Sequence, residues 1–107
     1  MSVLNMTEQD FRESAAGGKP VLVDFWAPWC VYCRRIAPVL GKVAEQYGDQ
    51  LTVAQVNIDD EPALARQEQI EVIPTLVVYK DGKALGSIVA PESKAQIEEL
   101  IRDSLKV

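Results

Sequence analysis

Residues 20–26 read Pro-Val-Leu-Val-Asp-Phe-Trp, an apolar and β-branched run broken by one carboxylate. A strand with one wet face alternates polar with apolar residues, whereas an almost continuous run belongs to a strand covered on both faces. Leu51 to Ile58 has the same character. Between the two, Cys33, Ile36, Ala37, Leu40, Val43, Ala44 and Tyr47 recur at helical spacing, with Pro38 inside the pattern and Gly48 at its end. Pro38 is expected to kink that helix without ending it. Strand, helix and strand in this order make a βαβ unit, which commits the chain to the α/β class.

The flanking segments extend the pattern. Val3 to Met6 reads as a short strand, and Thr7 with Asp10 three residues on reads as a cap that opens a helix ending at Gly17-Gly18. Asp59-Asp60-Glu61-Pro62 opens a short helix with its acids where the macrodipole favours them. Val72 to Tyr79, the turn Asp81-Gly82 and Ala84 to Val89 read as two antiparallel strands. A last helix, capped near Pro91 or Ser93, presents Ile97, Leu100, Ile101 and Leu105 as one stripe. The expected architecture is a central mixed sheet with helices on both faces, in a single domain over residues 1–107.

Composition narrows the function. With 11 Lys+Arg, 16 Asp+Glu and no His, the formal charge is −5, so a nucleic-acid backbone is repelled rather than gathered. Apolar runs are strand-sized, well short of the ~20 residues that cross a bilayer, so no membrane partner is expected. The first ten residues show neither a basic nor an apolar export region, which makes a cytoplasmic, reducing compartment the expectation. The absence of His removes Cys/His nucleophile pairs and mixed Cys/His zinc sites, and leaves thiols and carboxylates to do any chemistry.

The thiols are Cys30 and Cys33. As a structural staple the pair is poor, because a loop this short gives roughly 2 kcal/mol on the chain-entropy model. As a zinc site it is half complete, so zinc would require a dimer sharing two pairs. Two buried free thiols, in a binding module without catalysis, are a further alternative. As a redox pair it is well placed. Cys30 falls at the start of a helix, where unpaired N–H groups and the macrodipole favour an anion, and a free thiol titrating at about 8.5 needs such help to react at neutral pH. Cys33 lies one turn further in, within disulfide reach.

Trp26-Ala27-Pro28-Trp29-Cys30-Val31-Tyr32-Cys33, at the start of a helix after a buried strand, resembles the active-site segment of the thioredoxin family. Val23-Asp24-Phe25, Ile36-Ala37-Pro38, Ile73-Pro74-Thr75 and Lys80-Asp81-Gly82 extend the resemblance from about residue 3 to the C-terminus. It implies a thioredoxin-like fold and a protein disulfide oxidoreductase, most simply a general reductant. Its electrons would come from a thioredoxin reductase, its substrates would be disulfide-containing proteins, and it would act as a monomer with no cofactor beyond the Cys30–Cys33 disulfide. Cys30 would attack and Cys33 resolve. Asp24 would match the family's buried acid that assists Cys33, the alternative being an exposed edge-strand residue. Pro74 would match the cis-proline that leaves the Ile73 backbone free for an extended substrate, the alternative being an ordinary trans proline. Trp29 would belong to the docking surface and Trp26 would pack beneath it, with plain core packing competing for both. Arg34 and Arg35 would either raise the local potential or be solvated helix charges.

Three departures bear on substrate choice and redox poise. Val31-Tyr32 replaces the family's usual Gly-Pro, Gln55 stands where a lysine is common near the buried acid, and Ala90 stands where a glycine is usual in the docking loop before the last helix. Val31 and Tyr32 are candidate redox-tuning residues, and Tyr32, expected on an exposed helix face, would tune the potential or touch partners. The dipeptide also suggests a rival role as a more oxidising oxidant or isomerase.

Overall fold

A computed structural model describes residues 2–106, so the ends of the expected 1–107 domain, Met1 and Val107, lie outside the described residues. The elements follow in the order β1 (Leu4–Asn5), α1 (Glu8–Ala16), β2 (Val21–Trp26), α2 (Val31–Tyr47), β3 (Thr52–Asn57), α3 (Pro62–Gln67), β4 (Thr75–Lys80), β5 (Lys83–Val89) and α4 (Lys94–Leu105). Five strands form one sheet in the order β1-β3-β2-β4-β5. β1, β3 and β2 run parallel, and β4 is antiparallel to both β2 and β5. This is the mixed sheet that the βαβ unit and the following hairpin imply.

β2 is the central strand, which is why its sequence is apolar on both sides. Alternation sends its side chains to two cores. Leu22 joins Ile36, Leu40, Val43, Ile97 and Ile101 beneath α2 and α4, while Val21, Val23 and Phe25 pack with Phe11, Leu64 and Tyr79 beneath α1 and α3. Phe11 meets Phe25 and Tyr79 edge-on, with ring centroids 6.2 and 4.9 Å apart. Asp24 therefore lies on the face that α2 covers.

Boundaries depart from the sequence expectation where the chain is irregular. β1 is reduced to two residues. β4 begins at Thr75 rather than Val72, because Pro74 has no N–H to give a ladder; the peptide bond between Ile73 and Pro74 is cis. α2 continues through Pro38, as expected, but Ala37 beside it faces solvent instead of the core. The β4–β5 turn has positive φ at both central residues, Asp81 at 53° and Gly82 at 78°, the type I′ geometry that matches strand twist. Ser93 caps α4 through its Oγ, which accepts from Gln96 N–H at 3.2 Å.

Candidate active site

The loop leaving the C-terminal end of β2 carries Ala27 to Cys30, and the loop leaving β3 carries Asp59. β5 runs in the same direction as β2, so Val89 and Ala90 emerge at that end too, beside Pro74 at the start of β4. In open α/β sheets this is the end at which functional groups collect, outside the carboxyl ends of the strands. Folding thus brings Trp29, Cys30, Pro74 and Ala90 to one end of the sheet, while Asp24 lies within β2, paired to β3 and β4.

Cys30 is the N-cap residue of α2 and is half-buried. Its Sγ accepts from Cys33 N–H at 3.2 Å, and its carbonyl accepts from Arg34 N–H at 3.2 Å. The two cysteines are joined in a disulfide with their Cα atoms 5.2 Å apart. They are unequal in access, since Cys33 is only 2% exposed. The first turn of α2 contains no acidic residue, so nothing there competes with sulfur for the helix N-terminus. Arg34 is held close by, its Nη1 donating to Pro28 carbonyl at 3.2 Å.

Asp24 is 2% exposed on the α2 side of the central strand, which disposes of the exposed-edge alternative. Its Oδ1 has no hydrogen-bond partner among the described residues. Burial pushes its carboxyl up from an ordinary 3.8 to about 7. Gln55 is its register partner on β3, yet the Gln55 amide donates instead to Asn5 Oδ1 on β1. The position where a lysine is common therefore brings no cation toward Asp24.

Trp29 is 64% exposed, and its indole N–H donates to Asp59 Oδ2 at 2.9 Å. Val31 is 56% exposed beside it. Trp26 is half-buried, and its Nε1 lacks a hydrogen-bond partner among the described residues. Ala90 has a φ of +47°, the left-handed region that favours the glycine usual there, and its N–H donates to Pro74 carbonyl at 2.8 Å. Tyr32 is not exposed as expected. Its ring is half-buried against the α2–α4 core, and its hydroxyl donates to Pro91 carbonyl at 2.7 Å.

Sequence reasoning missed Asp59 and Pro91. An acid directly following a parallel strand was the available sign of Asp59. For Pro91 there was none, because it acts through a backbone carbonyl, which every residue possesses.

A family model described as thioredoxin matches residues 2–103. The chain belongs to the thioredoxin family. A thioredoxin from Alicyclobacillus acidocaldarius is 40% identical over 105 residues, covering 98% of this chain and 100% of the relative. A bifunctional thioredoxin reductase/thioredoxin from Mycobacterium leprae is 42% identical over 93 residues, covering 87% of this chain and 20% of that protein. Among solved structures, a point-mutant thioredoxin from Halobacterium salinarum NRC-1 superposes with a TM-score of 0.88 at 27% identity, covering 99% of this chain and 93% of that one. The chain is accordingly a thioredoxin-type dithiol/disulfide oxidoreductase with a Cys-Val-Tyr-Cys centre, serving redox partners of the thioredoxin kind. Among the described residues, no group of three or more His, Cys, Asp and Glu is placed to hold a metal ion, and no helix is long and apolar enough to cross a membrane.

Proposed function

We propose that this protein reduces disulfides of other proteins, acting as a single-domain cytoplasmic monomer that a thioredoxin reductase returns to the dithiol. The observation that carries the reading is the asymmetry of the two sulfurs, one at an accessible helix N-terminus and the other 2% exposed. The fused reductase and thioredoxin of the Mycobacterium leprae relative supports the choice of electron donor.

In the dithiol form, the N-terminus of α2 favours the Cys30 thiolate, which attacks one sulfur of the substrate disulfide. A Cys30–substrate bond forms, the substrate S–S bond breaks, and the first substrate thiolate leaves and takes a proton. Asp24, ionisable near neutrality, accepts the Cys33 proton by way of water from the same face of the sheet. The Cys33 thiolate then attacks Cys30 Sγ and expels the second substrate thiolate, leaving the internal disulfide. Two electrons have passed from the Cys30/Cys33 dithiol to the substrate. Trp29, the Ile73 backbone, Pro74 and Ala90 would together hold an extended substrate segment as an added strand.

A second reading, oxidant or isomerase, is favoured by Val31-Tyr32 in place of Gly-Pro. Equilibration with glutathione separates the two. A potential near about −270 mV supports the reductant, and one near about −180 to −120 mV supports the rival. Insulin provides the kinetic test, with Cys33→Ser expected to accumulate the mixed disulfide. Full turnover in Cys33→Ser would remove the resolving role.

A further inference from the structure

Two hydrogen bonds connect the start of α2, the segment that follows β5 and the residue that precedes β4 in series. Tyr32 in the first turn of α2 donates its hydroxyl to Pro91 carbonyl at 2.7 Å, across 59 residues of chain. The next residue back, Ala90, donates its N–H to Pro74 carbonyl at 2.8 Å. The segment 90–91 is thus held from both sides, by the helix that begins at the cysteines and by the cis-proline loop. Holding is needed there, because Ala90 adopts φ +47°, a conformation that costs an L-residue roughly 1–2 kcal/mol. Pro91 is buried as a residue, and the bond to its carbonyl is partly shielded from water. A proline in place of Tyr32, as is usual in the family, has no donor with which to make this bond.

The geometry points to Tyr32 as a positioning residue for substrate docking: its hydroxyl fixes the loop of Ala90 and Pro91 in the shape that receives a protein segment beside Cys30. The proposal rests on the docking role given above to that loop. It separates two contributions of one side chain position. The backbone of Val31-Tyr32 shapes the start of α2, whereas the phenol hydroxyl acts on a loop remote in sequence and makes no bond to either sulfur.

Tyr32→Phe deletes the hydroxyl and keeps the packed ring, so the fold is preserved. The expected result with insulin is a rise in KM of about three- to tenfold with kcat unchanged, as for loss of one part-buried hydrogen bond that assists binding. Equilibration with glutathione stays at the wild-type position, turnover of a small aromatic disulfide that needs no docked segment is unchanged, and amide exchange at Ala90 and Glu92 becomes faster. An unchanged KM for insulin overturns the proposal whatever the exchange shows. A shifted glutathione equilibrium with unchanged KM also overturns it, in favour of redox tuning by the hydroxyl. Since Tyr32→Phe retains both thiols and Asp24, either failure leaves the disulfide-reductant reading standing, and that reading is tested separately through Cys33→Ser and the potential.

Discussion

At the start of α1, Thr7 Oγ1 accepts from Asp10 N–H at 3.2 Å and Asp10 Oδ2 accepts from Thr7 N–H at 3.1 Å. At the start of α2 the same cap position is filled by Cys30, whose Sγ accepts from Cys33 N–H at 3.2 Å, and no acid follows in the first turn. Both termini present unpaired donors and the positive end of a helix dipole. In α1 two oxygens satisfy them reciprocally and permanently, and the outcome is stability. In α2 a single sulfur faces them without a competing carboxylate, so the electrostatic preference is available to a thiolate whenever the disulfide opens. The difference is one of occupancy: a capping box uses the terminus up, whereas a cysteine cap leaves it to the reaction.

Exchanging the cap atom is the severest way to break this contrast. Cys30→Ser keeps an oxygen that caps well, so the variant is expected to stay within about 1 kcal/mol of the reduced protein in stability while insulin turnover is abolished. Denaturant melts alongside the turnover assay check both halves. Residual turnover at the wild-type rate would place the nucleophile elsewhere.

The next effect concerns the acid behind the terminus. Burial holds the folded-state carboxyl of Asp24 at about 7 against an ordinary 3.8, so the folded protein binds that proton more tightly than the unfolded chain. The contribution of this group to stability is greatest below the unfolded value, declines as pH rises, and levels off above about 7, with a total change on the order of 4 kcal/mol. Asp24→Asn removes the ionisation. Its stability relative to wild type should rise between pH 5 and pH 8 by about 2–3 kcal/mol, while single-turnover release of the mixed disulfide slows. Loss of stability at both pH values would make Asp24 a structural residue only.

Replacing Val31-Tyr32 by Gly-Pro changes the shape of the α2 terminus without changing its cap. The potential should become more negative, and a shift of about 30 mV, readable against glutathione, corresponds to about 1.4 kcal/mol for this couple. A less negative potential would contradict the idea that the dipeptide weakens the reductant. The smallest effect belongs to α1: Thr7→Ala should cost about 1 kcal/mol in denaturant melts and leave insulin turnover unaltered. A change in turnover would mean that the two termini are coupled.

These differences explain what could be read in advance. Thr7 with Asp10, Cys30 at the head of α2 and Asp24 in an apolar run are local patterns, and local patterns have local physical causes. The α/β class followed from two strands buried on both faces, since only a sheet with helices on each side covers them. Tyr32 was placed on the wrong surface because helical phase describes one helix, whereas its burial depends on the β5–α4 loop arriving from 59 residues away. Ala37 failed in the opposite direction: its apolar side chain fits the stripe, but the neighbouring core positions Ile36 and Leu40 already define the covered arc. The row of Asn5, Gln55 and Asp24 across three strands needed the order β1-β3-β2, which no single strand encodes.

The two tryptophans lie within one four-residue segment, one with its indole tied to Asp59 and the other half-buried next to the site. In optical terms the protein is labelled at one end. Intrinsic tryptophan emission samples the surroundings of the disulfide, so opening that bond beside Trp29 is visible without an added dye, whereas fraying of α1, which carries no tryptophan, is dark to the same measurement. An emission-detected melt therefore reports on the site and a helix-detected melt on the helices as a whole, and their coincidence is a direct test that the site and the remainder of the fold unfold together.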